Sequence, residues 1–211
     1  GSFSDKYLLE SQPHLVLAGM YAAGLTVGAK LGILYISDEY YKAIEIIKAE
    51  IAQFEQTQAF KKESFKFLVV KGENAYITGE ESALLNSLEG QRAEVRTRPP
   101  FPGQEGLFKK PTLLSNVETF ASIVWILRNG GANHAALGTK DSCGTKLVSM
   151  GAKFNKPGVH EITFGESLEK VLNEHGGGFT EEIKALQIGG PLGGIVPMSK
   201  VSELNLSIES F

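Results

Sequence analysis

Cysteine is almost missing from this 211-residue chain. Cys143 stands alone, so no internal disulfide can form, and a reducing compartment is the simple reading. A single thiol also cannot hold an iron–sulfur cluster, which takes four cysteine ligands. Excess charge of either sign is missing too. The 21 Lys and Arg against 24 Asp and Glu leave a formal charge of −3, which gives no electrostatic footing for nucleic acid. No apolar run approaches the ~20 residues that cross a bilayer, and no signal-peptide pattern opens the sequence. The four histidines (His14, His134, His160, His175) lack metal-ligand spacing, and no nucleophile is paired with a base. What is present, 42% hydrophobic and 21% charged residues, is the composition of a globular protein. The length suffices for one generous domain or two small ones.

Periodicity gives an alternation of helices and strands. Residues 15–29 are small or apolar almost throughout, which predicts a buried helix entered through Pro13. The run L-G-I-L-Y-I (31–36) predicts a buried strand. Residues 39–56 predict a second helix, with Ile44, Ile47, Ala49, Ile51 and Phe54 on its apolar stripe. F-K-F-L-V-V (65–70) predicts the next strand. That order argues for a parallel sheet with helices packed on it, and ligands then belong at the carboxyl edge. A helix from 117 predicts Val117, Phe120, Ile123, Val124 and Leu127 on its core face, with Trp125 half-buried and a stop at Gly130-Gly131. The polar segment 131–143 reads as a linker. Beyond it, strands at 146–150 and 158–163, a helix at 167–175 and a strand at 183–188 follow a small β-grasp plan. The run G-G-P-L-G-G (189–194) reads as a turn rather than a phosphate loop, because Pro197 argues against a helix start after it. The predicted fold class is therefore α/β: a helix-flanked, mainly parallel sheet over 1–130, a linker over 131–143, and a β-grasp domain over 144–211.

The chain is organised around the stretch 72–118. It reads G-E-N-A-Y-I-T-G-E-E-S-A-L-L-N-S-L-E-G-Q-R, then R-T-R-P-P-F-P-G-Q-E-G-L-F, then K-P-T-L-L-S-N-V-E-T. A short strand is predicted over 75–78, running into a helix that opens on Glu80 and Glu81. Thr78 with Glu81, and Ser115 with Glu118, have capping-box spacing. Two helix N-termini with an aromatic loop between them suit a ligand mouth, and they are equally an ordinary way to begin two helices. Glu80 and Glu81 in a first turn complement the helix dipole without any ligand. As carboxylates they repel phosphate and accept hydrogen bonds from amide, hydroxyl or ring N–H donors.

These motifs resemble the flavin-bearing subunit of NADH:quinone oxidoreductase, respiratory complex I, and equally the diaphorase subunits of NAD-linked hydrogenases and formate dehydrogenases. The family pattern is Y-I-C-G-E-E-T-A-L-x-x-S-L-E-G, then P-P-F-P, then P-T-x-x-N-N-V-E-T. This sequence departs from it at Thr78, Ser82 and Ser115. The opening also resembles the family, with Gly1, Phe3, Asp5, Leu8, Leu9, Glu10, Pro13 and His14 in place and Lys6 for an arginine. By that resemblance the chain reads as a piece of a longer subunit. It starts after the family's glycine-rich flavin loop and stops before the helical domain with the cysteine ligands. The 144–211 segment resembles the family's soluble ligand-binding β-grasp domain.

The resemblance implies hydride transfer from NADH to FMN and onward passage of electrons to iron–sulfur clusters. Tyr76, Gly79, Glu80, Glu81, Ser115 and Asn116 would border the flavin. Glu81, Arg98 and Phe101 would meet the dinucleotide, Glu81 at its nicotinamide end and Phe101 at its adenine end. Each has a bland counterpart: a core tyrosine, helix caps, a solvated arginine, a loop anchor. FMN and a 4Fe–4S cluster are expected in the full-length parent and none in this chain, which should bind FMN weakly and show no dehydrogenase activity by itself. The implied partners are NADH and other subunits of an electron-transfer complex, in the cytoplasm or peripheral on the inner face of a membrane. The runner-up reading is a non-catalytic assembly module of such a complex. The terminal electron acceptor, and NADH against NADPH, stay open.

Overall fold

The computed structural model describes residues 2–57, 60, 64–73 and 75–208. Gly1, one of the residues carrying the resemblance, lies outside them. The chain is a mixed α/β protein. Among the described residues its strands form three two-stranded sheets, one parallel and two antiparallel. Contacts divide it into two compact units, Leu8–Val124 and Gly1–Tyr7 with Trp125–Phe211. The divisions fall inside helices α1 (Ser4–Ser11) and α5 (Val117–Asn129).

In the unit Leu8–Val124, helix α2 (Pro13–Thr26) opens on a proline whose missing N–H would have had no intrahelical partner. Its glycines allow close packing. A Cβ on Gly19 would stand 1.7 Å from the carbonyl oxygen of Phe120, and one on Gly24 would stand 2.5 Å from the Phe65 ring. Strand β1 (Leu31–Ser37) pairs in parallel with β2 (Lys66–Gly72), from Leu31–Lys66 to Ser37–Gly72. Helix α3 (Tyr41–Phe54) lies between them in sequence and buries Ala43, Ile44 and Ile47, while Leu34 and Ile36 of β1 are buried too. Tyr21, Phe54, Phe60, Phe65 and Phe67 form an aromatic cluster with ring centroids 5.1–6.3 Å apart, mostly edge to face. Tyr35 carries the sheet to the site: its hydroxyl is 2.9 Å from Ser87 Oγ and accepts the Glu73 N–H at 3.0 Å.

The strand expected over 75–78 is instead a 3₁₀ turn, Tyr76–Gly79. Thr78 is buried, and its hydroxyl donates to Ala75 O at 2.6 Å while its N–H donates to the same oxygen at 3.1 Å. That local bonding curls the backbone where a ladder would need it extended. Helix α4 (Glu81–Leu88) follows, then a loop, a 3₁₀ turn at Leu107–Lys109, and α5.

In the other unit, α5 departs from the expected core face. Leu127 is 69% exposed, because the buried residues of this helix, Phe120 and Ala121, belong to its first half, while Trp125, 42% exposed, is about half-buried as expected. A short helix α6 (Gly131–Ala135) follows. Strands β3 (Thr145–Met150) and β4 (Gly158–Thr163) pair antiparallel, placing Ile162 and Met150 in a core with Val171 and Leu206. Helix α7 (Leu168–Lys170), with Ser167 Oγ accepting the Lys170 N–H, runs into a π-turn over Val171–His175. Beyond it, β5 (Ala185–Gln187) and β6 (Ile195–Pro197) pair antiparallel across the glycine-rich turn. A 3₁₀ helix, Met198–Glu203, does start after Pro197, contrary to the sequence expectation. Proline there is extended (φ −61°, ψ 143°), a conformation that suits the residue flanking a first turn.

Candidate functional site

Helix α4 is capped by Glu80, not by Thr78. Glu80 is extended (φ −82°, ψ 135°), and its Oε2 accepts the N–H groups of Ser82 and Ala83, each at 2.9 Å, and the Ser82 hydroxyl at 2.6 Å. The Thr78 hydroxyl, which the capping-box spacing assigns to this role, is turned back toward Ala75, to whose carbonyl it donates. The same shift occurs at α5, where Asn116 Oδ1, rather than Ser115, accepts the Glu118 N–H at 2.9 Å. An Asn side chain one residue closer to the first turn makes the shorter cap.

The other oxygen of Glu80 meets the guanidinium of Arg98, and the same Arg98 Nη2 lies 3.0 Å from Glu81 Oε1. Two carboxylates therefore share one cation across the mouth of the loop. Partial burial pushes the Glu80 carboxyl upward, but the bonds from Ser82 and Ala83 and the Arg98 charge outweigh it and hold it below the usual carboxylate range. All three side chains are about one-third exposed, so each ion pair contributes at most about 1 kcal/mol.

Arg98 leads into Pro99-Pro100-Phe101, where the Arg98–Pro99 and Pro99–Pro100 peptides are cis. Phe101 is 54% exposed at a turn whose carbonyl accepts the N–H groups of Gln104 (2.8 Å) and Glu105 (2.9 Å). Phe101 N–H donates to Gln104 Oε1 at 3.1 Å. Tyr76 is exposed as well, not a core residue, because the turn at 76–79 leaves it no neighbouring strand. Of the residues that the resemblance singles out, the structure joins Glu80, Glu81 and Arg98 by direct bonds. Gly79 and Asn116 are exposed, and Ser115 is half-buried.

Sequence reasoning missed Arg96. Its guanidinium donates to Asn86 Oδ1 (2.7 Å) and Gly106 O (3.2 Å) and pairs with Glu89 (2.9 Å). Glu89 is held below its usual range: burial raises it, and the bonds from the Phe108 N–H and Arg96 overcome that. In sequence, Arg96 has nothing to separate it from Arg98, two residues on. The cleft beside it, bounded by Asn86, Glu89, Arg96, Thr97, Pro100 and Lys109, measures about 260 Å³. That is below the range of roughly 300–1,000 Å³ typical of ligand pockets. Among the described residues, no three His, Cys, Asp or Glu side chains converge to hold a metal, and no helix is long and apolar enough to cross a membrane.

The family model of the Nuo51 FMN-binding domain (the complex I 51K family) matches residues 1–125, more than half of the chain. The chain belongs to that family. Among its relatives, this family member is 36% identical over 216 residues to the NAD-reducing hydrogenase HoxS subunit alpha of Cupriavidus necator, covering 99% of this chain and 35% of that one. It is 34% identical to an NADH-quinone oxidoreductase subunit of Rhizobium meliloti, covering 100% of this chain and 52% of the relative. The crystal structure of an NAD⁺-reducing [NiFe]-hydrogenase in its H₂-reduced state superposes with a TM-score of 0.93 at 34% identity. That match covers all of this chain and 36% of the hydrogenase chain. The chain thus spans about a third to a half of the length of these relatives.

A flavin mononucleotide offers ring N–H and ribityl hydroxyl donors at one end and a phosphate at the other. Glu81, which shares Arg98 through one oxygen, fits the donors, whereas both oxygens of Glu80 and the Oδ1 of Asn116 already accept bonds inside the protein. The start of α4 does not fit the phosphate, because the Ser82 and Ala83 N–H groups are already taken by a carboxylate.

Proposed function

We propose that the unit Leu8–Val124 serves, within a longer parent subunit, as part of an NADH-oxidising site. The Glu80–Arg98–Glu81 clamp carries this reading. Two carboxylates around one guanidinium retain a net acceptor character, which suits a carboxamide or ring N–H and disfavours a phosphate. Glu81 orients the nicotinamide end of NADH, and exposed Phe101 offers a face on which an adenine stacks. Arg98 contacts the dinucleotide while holding both carboxylates in place. Tyr76, Gly79, Ser115 and Asn116 border the flavin. FMN, when bound, supplies the hydride acceptor and the one-electron outlet to iron–sulfur clusters. The names of the relatives support NADH as the donor and a multi-subunit complex as the setting, peripheral to a membrane or free in the cytoplasm. In the parent, the β1–β2 pair belongs to a larger, mainly parallel sheet. The segment 144–211, following a linker at 131–143, forms the β-grasp domain.

The test is a titration of the 211-residue chain with NADH and, separately, with FMN, following nicotinamide and flavin fluorescence. Saturable NADH binding that Glu81→Gln and Phe101→Ala weaken supports the reading; binding unaffected by either substitution rejects it. FMN is expected to bind weakly at best, and saturation at submicromolar FMN overturns the exclusion of phosphate from α4. One observation favours a second reading, an assembly module without catalysis: Glu80 spends both oxygens inside the protein. NADH binding decides between the two.

A further inference from the structure

We propose that Arg96 is the positioning residue of this site, locking the aromatic loop onto α4 so that Phe101 and the Glu80–Arg98 clamp are presented as one unit. The proposal deepens the reading above and rests on it for the ligand. The guanidinium spans two elements. It reaches Asn86 and Glu89 at the end of α4 and the Gly106 carbonyl across the loop. Its side chain is 28% exposed and that of Glu89 only 12%, so this pair is better shielded from solvent than the Arg98 clamp.

The backbone of Arg96 does the second half of the work. Its N–H donates to Ser82 Oγ at 2.9 Å, and the same hydroxyl donates to Glu80 Oε2 at 2.6 Å. Ser82 is 3% exposed, so neither bond competes freely with water. At the far end, the other oxygen of Glu89 accepts the Phe108 N–H at 2.7 Å. Both ends of the loop are thereby pinned to one helix, and Phe101 is carried between the pins. A lysine at 96 carries a single ammonium in place of the planar fork that meets these three acceptors.

The experiment compares Arg96→Ala and Arg96→Lys with wild type in the 211-residue chain. The readouts are amide hydrogen exchange and NADH titration, with Phe101→Ala alone and combined with Arg96→Ala. Exchange at the Gln104 and Glu105 amides is expected to rise about tenfold or more in both Arg96 variants, while amides of β3 and β4 do not change. The NADH dissociation constant is expected to rise about tenfold in Arg96→Ala, with Phe101→Ala adding little to it. Unchanged exchange, full rescue by lysine, or additive losses in the double variant overturn the proposal. If Arg96→Ala fails to fold, Ser82→Ala, which removes the anchor of the Arg96 backbone together with the hydroxyl bond to Glu80, is read in its place by exchange at the Gln104 and Glu105 amides and by additivity with Phe101→Ala. If wild type does not bind NADH, the functional reading fails, and the exchange result still decides whether Arg96 locks the loop.

Discussion

Gly19 on α2 lies so close to Phe120 on α5 that a Cβ at 19 would overlap the Phe120 carbonyl oxygen at 1.7 Å. No rotamer relieves that overlap, because both partners are backbone. Gly19→Ala gains about 1 kcal/mol of helix propensity and forces two packed helices apart, at a cost of about 1–3 kcal/mol or more. The packing term wins. Thermal unfolding of Gly19→Ala is expected to begin several degrees lower, and an unchanged midpoint would show that the helices part freely.

The cap on α4 separates charge from geometry. Glu80→Ala loses the acceptor for two N–H groups and is expected to cost about 1 kcal/mol in urea unfolding. Glu80→Gln keeps an acceptor oxygen and sacrifices only the Arg98 pair, so its cost should be below about 1 kcal/mol. Equal losses would mean that the ion pair, not the cap, holds the helix start.

Acid should weaken the fold. Glu80, Glu89 and Glu166 are all held below the ordinary glutamate value of 4.5. Burial raises each one, and hydrogen bonds and cations overcome it; for Glu166 the partners are Lys170, His175 and the Thr163 N–H. The folded state therefore binds these protons less readily than the unfolded chain. Their contribution is complete above about pH 4.5 and is lost as the pH falls through the folded values. Lys170 is raised from 10.5, chiefly by its bond to Glu166, so its share is lost as the pH rises above that value. Urea midpoints at graded pH should fall on acidification below 4.5, and less steeply in Glu89→Gln.

The core of the other unit turns on β4. Ile162 is fully buried against Met150, Val171 and Leu206. Ile162→Ala is expected to cost about 2–5 kcal/mol and Ile162→Val about 0.5–1.5 kcal/mol. Calorimetry on both variants checks the order; equal, small shifts would place Ile162 outside the core.

Where a segment's shape follows from its own apolar pattern, the sequence was legible. The α3 stripe of Ile44 and Ile47, and strand β1 with Gly32, Leu34 and Ile36 buried at alternate positions, are set by burial that repeats at helical or strand period. Legibility fails where side chains compete over one or two residues. The Thr78 hydroxyl went to Ala75, which converted a strand into a turn and passed the α4 cap to Glu80. In the candidate site, Glu80 and Glu81 were readable as a helix start. Their meeting with Arg98 was not, because the path of a loop without helix or strand has no period to read. Arg96 was hidden for the same reason. Its partners lie at 86, 89 and 106, and only the folded loop gathers them.

The register of the strands sets an order in time. Met150 pairs with Gly158, eight residues on, whereas every β1–β2 pair joins residues thirty-five apart, as Leu31 does with Lys66. Closing the longer loop costs about 1.3 kcal/mol more in chain entropy. The α3 helix between the strands offsets that only once it is itself formed. A hairpin such as β3–β4 zips within about 1–10 μs, so during refolding its amides should gain protection ahead of the parallel pair. The stretch that carries the candidate site, which hangs from the end of β2, is then among the last to find its shape.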